Sequence, residues 1–247
     1  MNILKQLLKK NKVYFFNYDK NSFFEGLYRF FGILMAPMLI KINPNFISFL
    51  SLLSGFIGFV LYIFFSIKII YIVIFFLFSF ILDFTDGLVA RFINKTSFHG
   101  RFIDGLFDIL VTSFLHIVFF IYLIENEIVQ TKSIHFIIIL VVIFLVPIQH
   151  LLLDRYAAIA RWCNDLGAKK KIKPYLRDDF LGGLTKFLFD IQHLCIWLIL
   201  FNYYIDNNFL ITLFFSASGI ASILNLTIYI YLSKKNFSGE ENPLDNN

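Results

Sequence analysis

The chain has 247 residues, of which 58% are hydrophobic and 16% are charged, and its formal net charge is +5. Soluble domains carry roughly 25% charged residues, and mean hydropathy here is +0.73. Long apolar runs recur along the whole length, which excludes a soluble domain and predicts a polytopic helical membrane protein. The short segments of alternating hydrophobicity that build a transmembrane barrel do not occur.

The chain opens with a basic, polar segment and a short amphipathic stretch. Ser22 and Glu25 form a capping-box pattern, and Phe and Leu residues then recur at helical spacing until Pro37. A helix of this length is too short to span a bilayer, so we expect it to lie in the plane of the interface. Residues 1–44 are therefore assigned to a cytoplasmic N-terminus with an interfacial helix.

Six apolar segments follow, each long enough to cross a membrane. Asn43 as N-cap and Pro44 as first helical residue mark the start of the first span. The predicted spans cover about residues 45–67, 68–93, 100–124, 134–161, 184–204 and 209–232. The predicted fold class is all-α and integral to the membrane, with a six-helix domain over residues 45–232 and a polar cytoplasmic tail over residues 233–247.

Lysine and arginine residues collect on one side of this arrangement. That side receives the N-terminus, the turn after the second span, the loop over residues 169–177 and the pair Lys234 and Lys235. The positive-inside rule then places both termini in the cytoplasm. The net charge is explained by orientation, so we expect no nucleic-acid partner. Heavy use of Asn, Lys, Ile and Phe indicates an AT-rich genome and favours a bacterial cytoplasmic membrane.

Four aspartates interrupt the apolar pattern where the second span ends and the third begins: Asp83, Asp86, Asp104 and Asp108. A charge in a span is costly, and residues three or four apart share a helix face. Two antiparallel helices joined by a short turn can therefore direct all four carboxylates at one volume. Carboxylates this close need a cation, and all-oxygen donors suit Mg²⁺, Mn²⁺ or Ca²⁺. Two such ions can clamp phosphate oxygens during displacement at phosphorus.

Small residues and one arginine accompany the acids. The full pattern over residues 83–108 is Asp-x2-Asp-Gly-x2-Ala-Arg-x8-Gly-x3-Asp-x3-Asp. It resembles the signature of the CDP-alcohol phosphotransferase family, and all eight fixed positions are present. The helix start Pro44-Asn45-x-x-Ser48 is similar to the family as well. The resemblance implies transfer of a phosphatidyl or similar group from a CDP-alcohol to a second alcohol, with release of CMP.

The resemblance also implies roles for individual residues. Asp83, Asp86, Asp104 and Asp108 would be metal ligands for Mg²⁺ or Mn²⁺, with two ions per protomer. Asp108 would in addition be the general base. The positions expected to line the CDP site are Gly87, Ala90, Arg91 and Gly100, with Arg91 on the diphosphate. Family members are typically homodimers of six-helix protomers, so the domain over residues 45–232 would be catalytic.

Chain length and span number favour the members that use CDP-diacylglycerol and a small polar alcohol. Gly105 and Ile109 depart from the Asp-Pro-x-x-Asp-Lys run of phosphatidylglycerophosphate synthases, which disfavours glycerol 3-phosphate and leaves serine, inositol phosphate or another polyol open. Candidate acceptor-binding residues are Arg155, Arg161 and Lys186. Two alternatives stay open: a CDP-aminoalcohol:diacylglycerol phosphotransferase, and a cation transporter that uses the aspartates. The span histidines, His116, His150 and His193, are expected to be hydrogen-bonded helix contacts.

Overall fold

A computed structural model describes residues 23–130, 133–165, 172, 184–185, 187–188, 193–194, 196–197, 199 and 208–237. Six α-helices and no strand occur in these residues. The helices are α1 (Phe23–Leu39), α2 (Pro44–Phe65), α3 (Ile69–Phe92), α4 (Phe98–Glu125), α5 (Ile134–Asp165) and α6 (Asn208–Phe237). Five of them, α2 to α5 and the Ser216–Phe237 part of α6, are long and apolar enough to cross a membrane.

The predicted all-helical membrane fold is confirmed, although the described residues contain five helices of membrane-spanning length where the sequence predicts six. The ends of α2, α3, α4 and α5 agree with the first four predicted spans to within four residues. Helix α6 continues to Phe237, five residues beyond the predicted end of the last span. Most of the span predicted over residues 184–204 lies outside the described residues, as do residues 1–22 and Asp190.

Helix α1 runs past Pro37 and ends at Leu39, so the predicted end at this proline is two residues early. One face of α1 is buried against α3, and the two helices lie close together at Gly32. A Cβ built on Gly32 would lie 3.1 Å from Oγ1 of Thr85. The opposite face stays apolar and exposed, with Met38 82% accessible. A helix with a packed apolar face and a second, open apolar face suits the edge of a membrane domain.

Small and hydroxyl-bearing residues hold α2 against α3. The hydroxyl of Ser51 donates to the carbonyl of Ser79 at 2.9 Å, and the hydroxyl of Ser79 donates to the carbonyl of Ser51 at 2.8 Å. Further along, a Cβ on Gly58 would lie 3.0 Å from Cβ of Phe75. Such close backbone approach is typical of packed transmembrane helices. It fixes the register in which the start of α2 faces the acidic end of α3.

A five-residue turn, residues 93–97, reverses the chain between α3 and α4. Asn94 adopts a left-handed conformation with φ 56°, which asparagine tolerates better than most residues. The amide of Lys95 donates to the carbonyl of Ala90 at 2.9 Å, and Ser97 caps α4 by accepting from the amide of Gly100 at 2.9 Å. The tight turn lays the end of α3 beside the start of α4.

Helix α5 packs between α4 and α6. Against α4, a Cβ on Gly105 would lie 3.1 Å from Oδ2 of Asp154. Against α6, Asn236 Nδ2 donates to the hydroxyl oxygen of Tyr156 at 2.8 Å, and the two helices approach closely at Gly219. This packing brings the C-terminal half of α5 next to the acidic end of α3 and the acidic start of α4.

Candidate active site

Three of the four predicted aspartates converge on one point. Asp83 and Asp86 lie on α3 and Asp104 on α4, and each offers an oxygen within 4.8 Å of the others. Asp86 is buried, with 4% of its surface exposed, and the other two are half-buried. The four-residue and three-residue spacings on two antiparallel helices produce this convergence, as the sequence predicts.

The fourth aspartate, Asp108, stands one helical turn further along α4. Its side chain is 38% exposed, and its Oδ2 lies 3.6 Å from Nδ1 of His150 on α5. Asp108 lines the same cavity as the three clustered aspartates, although it is not part of the group within 4.8 Å. The structure therefore places a tight trio of acids and a fourth, more open carboxylate beside it.

The start of α2 adds two polar residues that the sequence noted only as part of a helix start. Asn43 caps α2 and Pro44 is its first residue, as predicted. One turn later, the hydroxyl of Ser48 donates to the carboxylate of Asp86. A Cβ on Gly100 would lie 3.1 Å from Oδ1 of Asn45. Ser48 thus orients an acid of the trio, and Asn45 packs against the start of α4.

The cavity beside the acids has a volume of about 490 Å³ and is open on one side. Helices α1 to α5 all contribute to its wall. Its acidic lining residues are Glu25, Asp83, Asp86, Asp104, Asp108 and Asp154, and its basic lining residues are Arg29, Arg91, Lys95, Arg101 and Arg161. Opposite charges mixed in this way suit a substrate that carries phosphate and is bound together with cations.

The small residues of the sequence pattern line this cavity as well: Gly87, Ala90 and Gly100. A Cβ on Gly87 would lie 3.2 Å from Nη1 of Arg91, so the arginine side chain folds back along α3 over this glycine. Because Gly87 has no side chain, the cavity extends down to the backbone of α3 at this position. The Arg91 guanidinium lies next to this part of the cavity.

The three candidate acceptor-binding residues have different positions. Arg161 lines the cavity. Arg155 is exposed on α5 and is not among the residues that line it. Lys186 lies outside the described residues.

The three histidines also differ in position. His116 is buried and its Nδ1 is 2.7 Å from the carbonyl of Thr112. His193 is buried and its Nδ1 is 3.2 Å from the hydroxyl of Tyr28 on α1. The expected contact between helices is therefore confirmed for His193, whereas the bond of His116 lies within α4. His150 lies in the cavity wall beside Asp108, a position that the sequence alone did not indicate.

The donor set of the acidic trio fits a hard divalent cation. Its ligands are all oxygens, and one of them, Oδ1 of Asp104, is buried without a hydrogen-bond partner in the described part of the chain. A buried carboxylate oxygen normally has a partner, and three carboxylates this close repel one another unless a cation lies between them. Mg²⁺, Mn²⁺ or Ca²⁺ would satisfy the free oxygen and offset the repulsion.

Comparison with known proteins adds one match. A family model described as CDP-alcohol phosphatidyltransferase matches residues 41–218, which is more than half of the chain. Among curated proteins no sequence matches with significance. The matched region contains α2 to α5 with all four aspartates, and it leaves α1 outside. Members of this family transfer substituted phosphate groups and generally depend on divalent metal ions.

Proposed function

The chain belongs to the CDP-alcohol phosphatidyltransferase family, and we propose that it transfers the phosphatidyl group of CDP-diacylglycerol to a small polar alcohol. The observation that carries this proposal is the convergence of Asp83, Asp86 and Asp104 within 4.8 Å at a cavity rimmed by basic residues. Its chemical class, a membrane-embedded transferase of phospholipid biosynthesis, follows from the family.

The four aspartates are proposed as ligands of Mg²⁺ or Mn²⁺, with two ions per protomer. Bound there, the cations would hold the diphosphate of the donor and neutralise charge that develops on its oxygens. Ser48 supports this role because its hydrogen bond holds the carboxylate of Asp86 in one orientation. Asp108, being more open and one turn away, has room to face both a cation and the acceptor.

Gly87, Ala90, Arg91 and Gly100 are proposed to line the site for the CDP moiety. The guanidinium of Arg91 lies over Gly87, where its planar fork can donate two hydrogen bonds to one phosphate group. The absence of side chains at Gly87 and Gly100 lets the diphosphate lie close to the helix backbones.

Asp108 is proposed as the general base. Its carboxylate takes the proton from the acceptor hydroxyl while that oxygen attacks the phosphorus of the phosphatidyl group. The bond from this phosphorus to the bridging oxygen breaks, and CMP leaves with that oxygen. No covalent enzyme intermediate is needed, because acceptor and donor can be held in one cavity.

The acceptor is proposed to be serine, inositol phosphate or another polyol. Arg161, in the cavity wall on α5, supports an acceptor that carries a negative group, because its guanidinium can bind a carboxylate or phosphate. Arg155 and Lys186 are proposed for the same role on the basis of the sequence alone.

The membrane setting is also a proposal. We infer six spans, with the interfacial helix ahead of them, in a homodimer of a bacterial cytoplasmic membrane. The positive-inside rule supports a cytoplasmic active site and cytoplasmic termini. The domain limits proposed from the sequence, residues 1–44, 45–232 and 233–247, belong to the same proposal.

Neither alternative is favoured by a specific observation. A cation transporter would hold its acids near the bilayer midplane, often beside broken helices, whereas these aspartates lie in the last half of α3 and the first half of α4. A CDP-aminoalcohol donor with diacylglycerol as acceptor would use the same acids, and only the substrates distinguish it.

The test is a substrate panel with purified protein. CDP-diacylglycerol, CDP-choline and CDP-ethanolamine are each offered with Mg²⁺ or Mn²⁺ and with serine, inositol phosphate, glycerol 3-phosphate, polyols or diacylglycerol, and CMP and lipid products are measured by mass spectrometry. We expect CMP release and a new phospholipid with CDP-diacylglycerol. Asp108→Asn should abolish turnover, and Asp165→Asn, an exposed acid at the end of α5, should retain it. Folded protein that releases no CMP with any pair would refute the proposal.

A further inference from the structure

Helix α1 contributes two charged side chains, Glu25 and Arg29, to the wall of the cavity. Both lie outside residues 41–218, the region that the family model matches. They therefore add to the site from a helix that lies outside the matched region. Arg29 is the more informative of the two, because its surroundings fix its guanidinium and leave part of it without a partner.

Two contacts hold Arg29 in place. Its Nη2 donates to Oε1 of Glu25 at 2.6 Å, one turn earlier on α1. Its guanidinium carbon stands 5.5 Å from the centre of the Phe84 ring, a cation–π distance. Phe84 directly follows Asp83 in α3, so this contact ties the arginine to the helix that carries two acids of the trio. The side chain is 23% exposed.

The remaining donors of Arg29 are not all used. Its Nε is buried and has no hydrogen-bond partner in the part of the chain that the structure describes. A guanidinium has five N–H donors, and a buried donor normally finds an acceptor. Arg29 and Arg91 line the same cavity, where like charges disfavour each other unless an anion is bound. An anion with several oxygens in this cavity could accept hydrogen bonds from the Arg29 guanidinium and would offset the positive charge of both arginines.

We propose that Arg29 and Arg91 together bind the diphosphate of the CDP-alcohol donor, one from α1 and the other from α3. This inference rests on the proposed function, which supplies a diphosphate in the cavity. Arg29 is then a substrate-binding residue, and α1 forms one wall of the donor site. A purely structural role would make Arg29 only the partner of Glu25 and of the Phe84 ring.

The experiment measures binding of CDP to full-length purified protein in the presence of Mn²⁺, by calorimetry, for four variants. Arg29→Ala removes the donors, and Arg29→Lys keeps the charge without the planar fork. Glu25→Gln breaks the pair and removes a negative charge from the cavity wall. Lys41→Ala, which removes an exposed charge just beyond α1, is the matched control. A parallel set of measurements adds phosphatidylglycerol to the detergent micelles. It tests whether Arg29 binds the phosphate of a lipid headgroup instead of the diphosphate of the donor.

We expect Arg29→Ala to weaken CDP binding by about tenfold or more, the loss of one charged hydrogen bond, and Arg29→Lys to weaken it less. Glu25→Gln should bind CDP more tightly than wild type, because it removes a negative charge from the wall of the donor site, and Lys41→Ala should be unchanged. Equal losses in Glu25→Gln and Arg29→Ala would assign Arg29 to packing and overturn the inference. Unchanged CDP binding in Arg29→Ala and Arg29→Lys would overturn it as well. If those variants bind CDP like wild type and differ from it only in their response to phosphatidylglycerol, Arg29 binds a lipid phosphate and the inference is wrong. Wild-type protein that binds no CDP would reject the proposed function itself.

Discussion

The hydroxyl of Ser48 on α2 donates a hydrogen bond to the carboxylate of Asp86 on α3. Both groups are buried, and the contact joins the start of one helix to an acid of the trio near the end of the next. Because Asp86 is held from outside the acidic cluster, its carboxylate keeps one orientation. The relationship links helix packing directly to the proposed cation site.

Replacing Ser48 by Ala should therefore weaken cation binding as well as stability. We expect the Mn²⁺ concentration for half-maximal CMP release to rise several-fold, because Asp86 loses its orienting donor. The free energy of unfolding should fall by about 1 kcal/mol. Ser54→Ala is the matched control, since Ser54 donates to the carbonyl of Phe75 at 2.8 Å away from the acids. An equal shift of the Mn²⁺ response in both variants would contradict this role of Ser48.

Removing one acid of the trio should change stability in opposite directions with and without divalent ions. In EDTA, Asp104→Asn should unfold at a temperature equal to or above that of wild type, because repulsion with Asp83 and Asp86 is relieved. With Mn²⁺, wild type should gain stability by ligand binding, and the variant should gain little. Thermal unfolding in detergent measures both. A variant that is less stable than wild type in EDTA and equally stabilised by Mn²⁺ would contradict the cation site.

His150 should affect turnover through Asp108, whose Oδ2 lies 3.6 Å from its Nδ1. His150→Asn should lower kcat by about tenfold, less than the roughly hundredfold or greater effect of a group that transfers the proton itself, with KM for CDP-diacylglycerol unchanged. His135→Asn is the control, because His135 is exposed at the start of α5. Steady-state kinetics with both substrates varied provide the measurement. A rise in donor KM with constant kcat would place His150 in the donor site instead.

The close packing of α2 on α3 should be sensitive to a single methyl group. Gly58→Ala would bring a Cβ to 3.0 Å from Cβ of Phe75 and 3.5 Å from the carbonyl oxygen of Ile72, so α2 or α3 would have to shift. We expect a loss of about 1–3 kcal/mol in stability, as in overpacked cores. Gly26→Ala on α1 has no atom within 4 Å of the new Cβ and should be neutral or stabilising, by up to about 1 kcal/mol. Thermal unfolding of the two variants measures the difference. Similar melting temperatures would contradict the close packing of α2 against α3.

The sequence predicted the parts of the site that lie on one helix or across one short turn. Spacings of three and four residues place Asp83 and Asp86 on α3, and a five-residue turn brings Asp104 beside them. Apolar runs located the helices for the same local reason. The spacing also grouped Asp108 with the trio, whereas the structure gives it a separate position next to His150.

Contacts between segments that are distant in the chain could not be predicted from the sequence. Nothing local indicates that Arg29 approaches the ring of Phe84, because that contact depends on how α1 crosses α3. Ser48 was visible only as part of a helix start, and its bond to Asp86 depends on the register of α2 against α3. Gly105 stood outside the motif, and its contact with Asp154 arises from the packing of α5.

The central claim is that the aspartates hold divalent cations at which the CDP-alcohol donor binds. Electron paramagnetic resonance of Mn²⁺ added to the purified protein with CDP-diacylglycerol tests it most directly. We predict two bound ions per protomer in wild type, loss of Mn²⁺ binding in Asp104→Asn, and retention in Asp165→Asn. Equal Mn²⁺ binding by wild type and Asp104→Asn, or no binding by folded wild type, would contradict the account.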